Sequence, residues 1–141
     1  MITLIAIILF LILLLLSSIH FYWGFGGRWG SEAVFPTKDD HVPAKKPGAT
    51  PTFIVAFGLM GFGLLVLINA RLINLTLPVW FEKYGLEVIA AIFILRAVGE
   101  FKYVGFFKKY SQTKFGRNDT KYYSPLSLII GLLMLILALN T

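Results

Sequence analysis

Apolar residues fall into four runs separated by polar, glycine-bearing or proline-bearing connections, and the spacing of these runs predicts a membrane protein. A helix rises ~1.5 Å per residue, so a hydrocarbon core of ~30 Å takes ~20 residues to cross. Spans are predicted at about 2–23, 51–70, 84–103 and 124–140, which makes residues 1–141 a single integral membrane domain. The fold class expected is all-α, a four-helix transmembrane bundle, since helices satisfy their own backbone polar groups in lipid.

The runs differ in ways that matter. The first is almost pure Leu and Ile; it exceeds a signal-peptide core, lacks the preceding basic region, and is expected to be retained. It exits through "HFYWGFGGRWG", where the glycines suit a tight departure from the membrane better than a phosphate loop. In the second run Ala49, Ala56, Gly63 and Ala70 recur every seven residues, a stripe on which another helix can approach closely. The third is interrupted by Glu87, Arg96 and Glu100, with Trp80 and Tyr84 as interfacial anchors before or at its start. The last is short, and Tyr122 and Tyr123 extend it at headgroup level.

Composition agrees: 57% of residues are hydrophobic, 14% are charged, and there is no cysteine. Disulfides, thiol catalysis and cysteine-ligated metals are therefore excluded. The net charge of +6 is unevenly spread. Arg28, Lys38, Lys45 and Lys46 lie in the first loop, and Lys102, Lys108, Lys109, Lys114, Arg117 and Lys121 in the third, against only Arg71 and Lys83 in the second. The positive-inside rule puts the two longer loops in the cytoplasm and both termini outside. His20 and Trp23 then share a cytoplasmic mouth with Arg96, Glu100, Lys102, Tyr122 and Tyr123.

Arg96 and Glu100 are spaced to pair along one helix face, and a span centred near Leu95 puts Arg96 near mid-membrane. One reading is a structural ion pair; the other is a clamp for an anionic headgroup with Arg96 as donor. His20 can exchange a proton near neutral pH, or simply hydrogen-bond. His20, Asp39, Asp40 and His41 offer metal-ligand types without a diagnostic spacing, so no metal and no cofactor is expected. The basic, aromatic segment 101–123 is expected to begin as helix and lie along the interface, contacting anionic headgroups and not nucleic acid.

The phrases "HFYWGFGGRWG", "AVFPTKDDH", "FILRAVGEFKYVGFFKKY" and "TKFGRNDTKYYSPLSL" closely resemble a family of small four-helix bacterial integral membrane proteins known as a domain of unknown function. The resemblance covers essentially the whole chain. It implies a bacterial inner-membrane protein with four spans and no established activity, and its phrases fall on His20, Trp23, Gly27, Arg28, Trp29, Gly30, Pro36, Thr37, Arg96, Gly99, Glu100, Lys102, Tyr103, Asn118, Asp119, Tyr122, Tyr123 and Pro125. The ligand-binding candidates are His20, Trp23, Arg28, Arg96, Glu100, Lys102, Tyr122 and Tyr123.

The leading expectation is a protein that binds or carries a small amphiphilic or lipidic ligand, its polar head in the cytoplasmic mouth. One alternative is a membrane enzyme acting on a lipid or isoprenoid, with His20 and Glu100 as acid and base. The other is a structural or partner-binding protein in which Arg96 and Glu100 only hold the bundle. Oligomeric state is not written in the sequence.

Overall fold

A computed structural model describes residues 1–27, 29, 48–99 and 105–141. Four long helices make up this part of the protein: α1 (Ile2–Gly24), α2 (Ala49–Asn69), α3 (Val79–Val98) and α4 (Lys114–Asn140). No strand occurs among the described residues. Three of the helices, α1, α2 and α4, are long and apolar enough to cross a membrane. Glu82, Lys83, Glu87 and Arg96 make α3 more polar than the others.

The helices pair as two hairpins, α1 on α2 and α3 on α4, joined into one bundle by contacts of α1 with α4 and of α2 with α3. Ala6, Leu9, Leu13 and Ser17 form the buried stripe of α1, three or four residues apart, while Leu4, Leu11 and Leu15 on other faces stay exposed. Such exposure of large apolar side chains suits contact with lipid tails. On α2 the small-residue stripe works as expected in its middle: Ala56 and Gly63 are buried, and a Cβ on Gly63 would stand 3.1 Å from Phe10. Its ends, Ala49 and Ala70, are not buried. Ser17 Oγ donates to the Ala56 carbonyl at 2.7 Å across the first hairpin. The second hairpin closes where Gly131 meets α3, with its missing Cβ only 3.2 Å from the Ala90 carbonyl.

The glycines after α1 do what a helix exit needs. Gly26 has φ +100°, its N–H donates to the Trp23 carbonyl, and the N–H of Gly27 donates to that of Tyr22. This is a Schellman ending, with glycine in the one position where a side chain is strained. The Tyr22 ring covers Gly27, its hydroxyl accepts from the Trp29 N–H, and Trp23 Nε1 donates to the Trp29 carbonyl at 2.8 Å.

Three boundaries differ from the sequence expectation, both ends of the third helix and the start of the fourth. The third helix begins at Val79, just after Pro78, and ends at Val98 because Gly99 turns away with φ +84°. Arg96 therefore stands in its last turn, at the end of the bundle and not at its middle. The start of the segment expected as helix, 101–104, lies outside the described residues; residues 105–113 make turns, Phe106 N–H caps α3 by donating to the Ala97 carbonyl, and α4 starts at Lys114, ten residues before the expected span. Thr113 Oγ1 accepts from the Gly116 N–H at 2.9 Å and so starts that helix.

Candidate functional site

One carboxylate organises the polar end of the α3–α4 hairpin. Asp119 is fully buried, and both of its oxygens are occupied. Oδ1 accepts from Arg96 Nη2 at 2.8 Å. Oδ2 accepts from the Gly105 N–H at 2.7 Å and from Ser124 Oγ at 3.0 Å, with Lys108 Nζ at 3.2 Å.

The backbone makes this convergence possible. Helix α4 is α-helical over Lys114–Asn118 and Ser124–Asn140 but π-helical over Asp119–Tyr123. In an α-helix, side chains five residues apart diverge by about 140°, too far for Asp119 to meet Ser124. The wider π turn rotates them onto one side, and turns of this kind recur at functional sites. Gly105 (φ +93°) then lays its N–H directly on the carboxylate.

Lys108 is equally enclosed, its side chain 1% exposed. Its ammonium has three hydrogens and three acceptors: the Gly105 carbonyl at 3.0 Å, Thr120 Oγ1, and Asp119. A lysine so engaged has a partner for each of its three donors and serves to tie the turn to α4. Arg96 is different. Its Nη2 is committed to Asp119, yet its Nη1 is buried without a hydrogen-bond partner among the described residues, and the side chain is one-third exposed. Two cations thus share one carboxylate, leaving the cluster with excess positive charge.

Sequence spacing pairs Arg96 with Glu100, a pairing that lies outside the described residues; in the structure Arg96 Nη2 donates to Asp119. Glu100, Lys102 and Arg28 lie outside the described residues, as does the Asp39, Asp40 and His41 group. His20 and Trp23 stand at the same end of the bundle as Arg96, because each belongs to the last turn or two of a helix running that way. They form a separate group. His20 Nδ1 lies 2.7 Å from the Leu16 carbonyl, which can only accept, so Nδ1 carries the proton; the ring meets Trp23 edge-on at 5.3 Å. Tyr122 is exposed beneath Lys121, and Tyr123 is half-buried against Phe115. Among the described residues no three His, Asp or Glu side chains gather as a metal site requires. An open groove of about 470 Å³ lies at the other end, between Ile2, Asn69, Arg71, Val79, Glu82 and Asn140.

The family phrases include Asp119, but the sequence did not join it to Lys108, Gly105 and Ser124 as a unit. The available signal was that Asp119 is the only acid after Glu100, set in a strongly basic segment.

A family model for a protein of unknown function, DUF3995, matches residues 13–134. The chain belongs to the DUF3995 family. Comparison with curated proteins and with solved structures gave no match. The stretch matched in this DUF3995 protein contains the whole Arg96, Lys108 and Asp119 cluster and bears out the resemblance drawn from the sequence phrases. What it adds is membership, since the family carries no assigned activity.

Proposed function

We propose that this DUF3995 protein is a multi-pass protein of the bacterial inner membrane that binds a small amphiphilic or lipidic ligand through an anionic head at Arg96. The observation that carries the proposal is the buried Nη1 of Arg96, which has no hydrogen-bond partner among the described residues, beside a cluster that among those residues holds two cations and one carboxylate. An unsatisfied donor in low dielectric is costly, and an anionic oxygen at Nη1 would supply both the missing acceptor and the missing charge. Asp119 is then a positioning residue: it holds one arm of the guanidinium and so fixes where the other, Nη1, stands. His20, Trp23, Tyr122 and Tyr123, at the same end, are the rim along which the rest of the ligand lies, and Arg28, Glu100 and Lys102 belong to that rim by sequence.

Arg96→Met is a clean probe, because it leaves Lys108 and Asp119 as a neutral pair with the Gly105 and Ser124 donors still in place. Native mass spectrometry with lipid analysis of mildly purified protein should show a discrete, non-bulk anionic species on the native chain. That species should be absent from a normally folded Arg96→Met. Bulk phospholipid alone on both chains would overturn the proposal in favour of a purely structural cluster.

The basic loops are placed in the cytoplasm by their charge. The chain has no cysteine, so Thr76→Cys and Ser111→Cys report sidedness directly. A membrane-impermeant thiol reagent added to spheroplasts should label the first and spare the second. Labelling of Ser111→Cys alone would reverse the orientation.

A further inference from the structure

The charge at the Arg96 end is not confined to the buried cluster. Lys109, Lys114, Arg117 and Lys121 are all exposed there, and the last three follow one another three and four residues apart along the first turns of α4. From residue 105 to the end of the chain the only acid is Asp119, which is fully buried and already paired with Arg96 and Lys108. Within residues 105–141 the cations therefore outnumber the acids, and the cations named above are the exposed ones. The opposite end is balanced by count among the described residues, with Arg71 on the turn after α2 and Lys83 on α3 against Glu82 and Glu87 on α3.

Apolar rings accompany the cations. Phe106 and Phe107 are 41% and 65% exposed on the turn before α4, and Tyr122 is exposed on α4 itself. Lys109 and Lys121 lie over the neighbouring rings of Tyr110 and Tyr122 at 5.5 and 5.1 Å. A nucleic-acid surface has no need of phenylalanines directed outward beside a bundle of lipid-facing helices, whereas a bilayer surface offers an apolar layer under an anionic one.

We propose that the face formed by Lys109, Lys114, Arg117 and Lys121 with Phe106 and Phe107 docks on the anionic phospholipid headgroups of the adjacent leaflet. Charge complementarity selects the occupant, and the phenylalanines enter the boundary beneath the headgroups. The inference rests on the membrane reading above but not on a ligand at Arg96. On this proposal the face enriches anionic lipid around the mouth of the bundle and holds the turn 105–113 against the membrane.

The full chain, reconstituted in nanodiscs of equimolar phosphatidylglycerol and phosphatidylcholine, provides the test through native mass spectrometry of the lipids it retains. The native protein should retain phosphatidylglycerol over phosphatidylcholine by roughly threefold or more, and raising the ionic strength should weaken that preference. The variant K109Q/K114Q/R117Q/K121Q, which touches none of the Asp119 contacts, should retain the two lipids about equally. Arg96→Met should keep the preference, so failure of the headgroup clamp and failure of the docking face are distinguishable. Equal retention by the native chain overturns the proposal. So does an unchanged preference in the fourfold variant, including a variant that instead loses a co-purifying nucleic acid or acidic protein.

Discussion

Asp119→Leu should cost the protein about 3–5 kcal/mol, enough to abolish recovery of monodisperse protein from mild detergent. The carboxylate is fully buried and answers two cations, one of them a lysine with a 1% exposed side chain. Removing it strands both charges and leaves the Gly105 N–H and Ser124 Oγ without their acceptor. The cations should behave differently. With Lys108→Met the Arg96–Asp119 pair persists, and with Arg96→Met the Lys108–Asp119 pair persists, so each variant should lose far less than Asp119→Leu. The triple variant Asp119→Leu, Arg96→Met, Lys108→Met should recover much of the loss, because it leaves no orphan charge. Thermal unfolding in one detergent measures all four. An Asp119→Leu protein as stable as Arg96→Met would show that the carboxylate does not hold this end together.

The second large effect is expected at Gly105. Its φ of +93° disfavours any side chain, and a Cβ there would stand 2.2 Å from the Val98 carbonyl oxygen and 2.6 Å from the Gly99 Cα. Those atoms are backbone and cannot swing aside. Gly105→Ala must therefore shift the turn, withdrawing the N–H from Asp119 and straining the Phe106 bond that caps α3. A loss of about 3 kcal/mol or more follows from strain and overlap together. Gly26→Ala is the matched control: φ is +100° but nothing lies within 4 Å of the added carbon. Strain alone should cost it about 1–2 kcal/mol. Equal losses at the two glycines, measured by the same thermal unfolding, would contradict the close approach at Gly105.

These two residues show where the polar end gets its shape. The turn 105–113 is pinned to α3 by the Phe106 N–H and to α4 by Asp119, so the carboxylate joins three segments that are neighbours only after folding. Arg96 gains its fixed orientation from that junction. A guanidinium tethered by one arm keeps the other arm's direction, which is what recognition of an anionic oxygen requires.

The sequence by itself determined the helical class, the four-helix bundle and the membrane character, because unbroken apolar runs near 20 residues can be satisfied only one way in lipid. It also placed His20, Trp23, Tyr122 and Tyr123 at one end of the bundle, since alternating helix direction follows from connection order alone, whereas Arg96 joined them only because α3 ends at Val98. The role of "GFGG" as a helix exit was legible too, as glycine's freedom at positive φ is a local property. The pairing of Arg96 with Asp119 was not. Local spacing favoured Glu100, four residues on, and could not foresee Gly99 ending the helix, the turn returning to it, or the π segment that swings Asp119 and Ser124 together. A π turn carries no sequence period of its own and persists only where tertiary contacts reward it. Here the reward is a buried carboxylate with four donors, and only the packed hairpin brings those donors into one place.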